Sequence, residues 1–426
     1  MAPEPSSCVR KRRVFYIPGY DPIHPRRYRE LYRTESAKQA EISGYEIGIT
    51  PRRGDRYGWN VAATMDGQKV AASVEVLVWS DLVRASMSNT IPATYLQLVR
   101  TAWTYIASGT LRRLMWMRKG PVIAALYPVG MLLAQLVAAL LVGALLGMAL
   151  SGGIGWGVDR LLGLFGWTAG GAVWTAVLDA LWWAGLLGGA VFVLRWFKAR
   201  DGKLYAYYLM HDYAHSCQHG GAYPQDLEQR LAEFGDVIAA ALTDEVDEVL
   251  VVGHSSGAHL GVSILADLIR QTRLPANGPK LSFLTLGQVV PMVSFLPKAD
   301  RLRADLNFLS QRDEIAWIDV TAPGDGCAFA LCDPVAVSGV APDNQRWPLV
   351  LSAAFTKTLA PETWKALRWR FFRLHFQYLC AFDRPGDYDY FRITAGPRTL
   401  GERYAGRAPS KSRIDVPASR YTSMAA

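Results

Sequence analysis

The feature that most restricts this chain is the stretch 121–158, which contains no charged residue. About 20 apolar residues in a helix suffice to cross the hydrocarbon core of a bilayer. Helices in soluble cores rarely run so long without an ionisable side chain. A first span is expected near 122–148. A second apolar stretch, 170–194, is broken only by Asp179. Trp156, Trp167, Trp174, Trp182 and Trp183 lie in or between the two stretches, and they suit spanning helices with interfacial aromatics. A carboxylate is costly in lipid, so Asp179 is expected to face the partner helix or to sit near the interface.

Arg112, Arg113, Arg118 and Lys119 precede the first stretch, and Arg195, Lys198, Arg200 and Lys203 follow the second. The connection between them holds only Arg160, beside Asp159. Positive residues favour the cytoplasmic side, so both flanks are expected there. The net charge of +9 is compatible with nucleic acid or with an anionic membrane surface. No zinc-finger spacing and no basic stripe interleaved with aromatics is present, so nucleic acid is set aside. The five cysteines are scattered and odd in number, which predicts free thiols in a reducing compartment. Cys327 and Cys332 lack a matching second pair for zinc. The apolar run near the N-terminus is too short for a signal peptide.

Outside the hairpin, strand-like and helix-like segments alternate. The segments 14–17, 45–50, 61–65, 73–79, 247–252, 281–286 and 315–320 read as strands, and 24–41, 224–242, 256–271 and 298–309 as helices. In 224–242, Leu227, Leu231, Phe234, Ile238 and Leu242 recur at helical spacing. Such alternation predicts an α/β fold, with a mostly parallel sheet flanked by helices. The hairpin falls between two strands of that sheet, so the chain must cross the membrane an even number of times. The expected division is 1–120 and 197–395 as two parts of one catalytic domain, 121–196 as a two-helix transmembrane insert, and 396–426 as a basic, flexible tail.

Gly253-His254-Ser255-Ser256-Gly257 matches G-x-S-x-G, a sharp strand-to-helix turn that lifts a serine above a sheet edge. An apolar strand runs into it and a helix with the small residues Ala258 and Gly261 leaves it. The segment VVGHSSGAHL resembles the nucleophile elbow of the α/β-hydrolase superfamily, lipases and esterases in particular. The resemblance covers about 14–95 and 204–395. It implies an α/β-hydrolase fold with Ser255 as nucleophile and the Ser256 N–H as one oxyanion-hole donor. The loop Ile17-Pro18-Gly19-Tyr20-Asp21 resembles the family's His-Gly loop, but with proline for histidine. Proline has no N–H, so Gly19 or Tyr20 would donate.

The family order of Ser, then acid, then His leaves His259 and His375 as candidate bases. His259 lies four residues along the elbow helix and points away, so His375 is preferred. The acid is expected after the strand 315–320. Asp325, between glycines, is preferred to Asp319 and Asp333. His211, His215 and His219 recur every four residues, but Gly220-Gly221 ends any helix there and no remote ligand is evident; no metal or other cofactor is expected. The expected activity is hydrolysis of an acyl ester, lipid-like in view of the anchor, through an acyl-enzyme. The expected partners are the bilayer, that substrate and, in a homo-oligomer, further copies of the chain. The expected location is a bacterial inner membrane, with the catalytic domain in the cytoplasm. A non-catalytic membrane scaffold on a hydrolase fold is the alternative; a transporter would need more helices than two unless the protein oligomerises.

Overall fold

A computed structural model describes residues 8–54, 56–87 and 90–425. Strands and helices are numbered in chain order. Eight strands, β1 (Lys11–Ile17), β2 (Glu46–Pro51), β3 (Gly58–Met65), β4 (Gln68–Val76), β5 (Glu248–His254), β6 (Lys280–Leu286), β7 (Ile315–Thr321) and β8 (Leu349–Ser352), form one sheet. Their spatial order is β2-β3-β4-β1-β5-β6-β7-β8. β3 pairs antiparallel with both neighbours, while the ladders from β4 through β1 to β8 are parallel. The fold is therefore α/β with a mostly parallel sheet. β5 lies between β1 and β6, and all seven of its residues are buried. A strand covered on both faces reads as a continuous apolar run, which VLVV does.

The helices before and around the elbow are α1 (Arg26–Ser43), α2 (Ser80–Ser86), α3 (Ile91–Ala107), α4 (Thr110–Met117), α5 (Lys119–Gly163), α6 (Ala172–Lys198), α7 (Asp201–Leu204), α8 (Ala206–Cys217), α9 (Gln225–Ala241) and α10 (Gly257–Arg270). The chain forms two compact units. One holds the sheet; the other comprises Met87–Thr101 and Ala125–His215. The helical unit thus takes in Met87–Thr101 and extends to His215, while 121–124 group with the sheet. Residues on both sides of the hairpin join it because Leu98, Leu132, Ala206, Tyr207, Met210 and Ala214 bury one another.

α5 and α6 are each long and apolar enough to cross a membrane. At 45 and 27 residues they measure about 68 and 40 Å, against roughly 30 Å of hydrocarbon. Their backbones touch through two pairs of glycines spaced four apart. A Cβ on Gly143 would lie 2.3 Å from the Leu186 carbonyl oxygen, one on Gly147 2.5 Å from that of Trp182, and one on Gly185 2.6 Å from the Gly147 Cα. Small residues at this spacing let helices approach closely. The same register carries Leu178 to Gly155, so α6 pairs with the later part of α5, beyond the expected end at 148. Asp179 is exposed, two turns into α6. It does not face the partner helix.

The C-terminal segment is not a loose tail. Arg12 and Glu248, both buried, form an ion pair at 2.5 Å at the start of β1 and β5. The Arg12 guanidinium also donates to the carbonyls of Gly396 (2.8 Å) and Arg398 (2.6 Å), and Glu248 accepts from the Leu400 N–H at 2.7 Å. Further on, Ser410, Ile414 and Ala418 donate backbone bonds to Val350, Leu331 and Val337, and Arg303 donates to the Ser423 carbonyl. A buried charge is tolerated only when paired and fully hydrogen-bonded, and the tail supplies the missing acceptors.

Candidate active site

The chain turns from β5 into α10 within two residues. Ser255 has φ +57°, a left-handed conformation that costs a non-glycine residue about 1–3 kcal/mol. Residues 248–266 are all buried except Ser255, which is partly exposed. The glycines on either side are required by close approach. A Cβ on Gly253 would lie 2.6 Å from the Gly257 carbonyl oxygen, and one on Gly257 2.1 Å from that of Ile17. The end of β1 thus passes directly over the start of α10. There Gly19 faces the serine: a Cβ built on it would lie 2.9 Å from Ser255 Cβ and 3.3 Å from Oγ. The loop is held by the Trp79 indole N–H, which donates to the Pro18 carbonyl at 3.0 Å, and by the Tyr20 hydroxyl, 2.7 Å from Ser86 Oγ. Among the described residues, neither the Gly19 nor the Ser256 N–H has a protein acceptor. Ser256 caps the N-terminus of α10, where the helix dipole favours negative charge.

His375 ends the short helix Phe371–His375, after β8, and is buried. Its Nδ1 lies 2.8 Å from Asp325 Oδ2. The Tyr378 hydroxyl donates to the same oxygen at 3.0 Å and accepts from the Ala322 N–H at 3.0 Å, while the Cys327 N–H donates to Oδ1 at 2.9 Å. The carboxylate therefore accepts three bonds in a fixed turn just beyond β7. The serine reaches this group through the end of β6. Its N–H donates to the Leu286 carbonyl at 2.9 Å. At the next residue, Gly287 (φ +54°), a Cβ would lie 3.0 Å from His375 Cε1. No hydrogen bond joins Ser255 Oγ to His375 among the described residues.

No protein-family model matches this chain, and no curated protein or solved structure matches it either.

Of the three candidate acids, only Asp325 bonds His375. Asp319 is buried within β7, accepts from Thr285 Oγ1 at 2.6 Å, and has no partner for Oδ2 among the described residues; burial raises its pKa to about 8. Asp333 caps the helix Pro334–Val337, accepting from the Val335 and Ala336 N–H groups. His259 is stacked on Tyr223 at 5.7 Å and is 3.0 Å from its hydroxyl. His211 bonds Gln97 at 2.7 Å, and burial lowers its pKa to about 4. Asp325, Cys327 and His375 place one potential metal-ligand atom each within 4.8 Å of one another, but both Asp325 oxygens are already engaged.

Two contributors have roles that the G-x-S-x-G pattern does not specify. One is Tyr378, one helical turn beyond His375. The other is His254, whose Nε2 is 3.0 Å from the His375 carbonyl and whose ring lies 4.8 Å from the His375 ring. A carbonyl only accepts, so Nε2 carries the proton. Burial first, then His375, lowers the His254 pKa to about 3, so this ring is neutral and acts as a brace.

Proposed function

We propose that this protein is a membrane-anchored serine hydrolase of α/β-hydrolase type that cleaves an acyl ester. The observation that carries the reading is the strained Ser255, set under the Gly19 backbone and tied through Leu286–Gly287 to the His375–Asp325 pair. Strain at a partly exposed polar residue in a buried turn is kept where function requires it. The order of the parts, serine after β5, acid after β7 and histidine after β8, also fits that fold.

In the proposed reaction His375 Nε2 removes the Ser255 proton as Oγ attacks the acyl carbonyl carbon. Asp325 holds Nδ1–H, fixes the tautomer and stabilises the imidazolium. The Ser256 N–H and a donor from Gly19 or Tyr20 meet the developing oxyanion. The tetrahedral adduct collapses, the alcohol leaves with the proton from His375, and water repeats the cycle to free the acid. The Ser255 hydroxyl must rotate toward Nε2 for the first step. Such bonds often tighten only with substrate bound.

Three features support the anchor. Only 22% and 17% of the most apolar windows of α5 and α6 are buried, unlike core helices. Basic residues flank both. The hairpin also leaves the chain after β4 and returns it before β5, two strands of one sheet, so an even number of crossings is required. By the distribution of positive charge, the sheet lies on the cytoplasmic side. A site tethered to a bilayer suits a lipid-like ester. A panel of p-nitrophenyl esters tests this: turnover should rise with acyl chain length and vanish in Ser255→Ala. Inertness of the wild-type protein toward every ester would favour the scaffold alternative.

A further inference from the structure

α3 is amphipathic the wrong way round for a helix in water. Its outward stripe is Leu96, Val99, Trp103 and Ile106, exposed to 48%, 60%, 71% and 62%. The spacing of three, four and three residues puts them on one face. Its buried positions include Thr94, Thr101 and Tyr105 beside Leu98. A helix of a soluble domain turns such residues the other way. In α4, Met115 and Trp116 are also exposed, and the Arg112 and Arg113 guanidinium groups lie over the Trp116 ring at 5.5 and 4.6 Å.

The charge on this segment names its partner. No Asp or Glu occurs in 82–158, whereas Arg100, Arg112, Arg113 and Lys119 do; Arg84 and Arg118, also in this segment, donate to the Pro22 and Ala330 carbonyls. An apolar stripe that includes a tryptophan, on a segment with only positive charge, is complementary to the headgroup region of an anionic bilayer. We infer that the outer face of α3 is a docking surface for anionic phospholipid, lying in the membrane interface. The inference rests on the membrane reading above but not on catalysis. It gives the proposed hydrolase a second contact with the bilayer, on the chain that leads from α2 into α5.

Photocrosslinking tests it on the full chain in nanodiscs of equal parts phosphatidylglycerol and phosphatidylcholine. p-Benzoylphenylalanine replaces Val99, Ile106 or, as a reference in α5, Leu141, which is 62% exposed. All three side chains point outward, so the buried packing is left intact. Lipid adducts read by mass spectrometry are expected at all three positions, with phosphatidylglycerol in excess at Val99 and Ile106. Adducts at Leu141 alone, or protein-to-protein crosslinks at Val99 and Ile106, would overturn the inference and leave the hairpin standing. Equal yields from the two lipids would overturn the anionic preference. No adduct at any position would remove both the docking surface and the spanning hairpin.

Discussion

Gly19→Ala isolates the part of the site that faces the serine. The backbone of Gly19 is not in the left-handed region, so alanine is conformationally acceptable. The obstacle is its methyl group, placed 2.9 Å from Ser255 Cβ and 3.3 Å from Oγ. Carbon atoms pack at about 3.5–4.0 Å, so the loop or the serine must move by roughly 0.6–1 Å. A displacement of about 1 Å in a reacting group costs on the order of 100-fold in rate, near 2.7 kcal/mol. The assay is the rate at which a fluorophosphonate labels Ser255, measured beside thermal unfolding. The expected result is labelling slowed about 100-fold with little loss of thermal stability. Wild-type labelling in a stable variant would refute the placement of Gly19 over the reacting atoms.

Asp325→Asn should keep the fold by circular dichroism yet slow labelling by about 10⁴-fold, because the amide favours the wrong imidazole tautomer. Asp319→Asn should alter the pH dependence of stability. Burial raises the Asp319 pKa from 3.8 to about 8, so the folded state retains a proton that the unfolded state releases. Its contribution to stability is complete below about pH 4 and lost as pH rises through about 8. Urea midpoints should therefore show the asparagine variant gaining on wild type across that window; parallel curves would refute the assignment. Gly147→Leu should destabilise the hairpin by about 1–3 kcal/mol through overpacking, since its Cβ meets the Trp182 carbonyl at 2.5 Å. Gly152→Leu, with nothing within 4 Å, should not, and thermal unfolding in detergent compares the two.

The alternation of apolar runs placed seven of the eight strands to within about five residues: β5, β6 and β7 are uniformly apolar because both faces are covered, while β3 shows alternating burial. β8 escaped because its four residues, Leu349–Ser352, are too short to show a period. The antiparallel turn of β3 depends on pairing rather than on local pattern. Around the site, Ser255, Asp325 and His375 were legible as types in order, yet three acids competed. Only the bond to His375 Nδ1 separates Asp325 from Asp319 and Asp333. His254 and Tyr378 act through a backbone carbonyl and a carboxylate, and such contacts leave no signature in spacing. The tail misled because its many arginines imitate a solvated end, while Arg12, far away in sequence, anchors its backbone. The hairpin was plain in composition, but its register follows from glycine contacts that composition does not contain.

The most direct measurement is the intact mass of the folded protein after exposure to a fluorophosphonate. A single adduct on Ser255, abolished by Ser255→Ala and strongly slowed by His375→Ala, is the predicted result. A protein that stays unmodified while folded, or one that labels equally fast without His375, would contradict the assignment of Ser255 as an activated nucleophile.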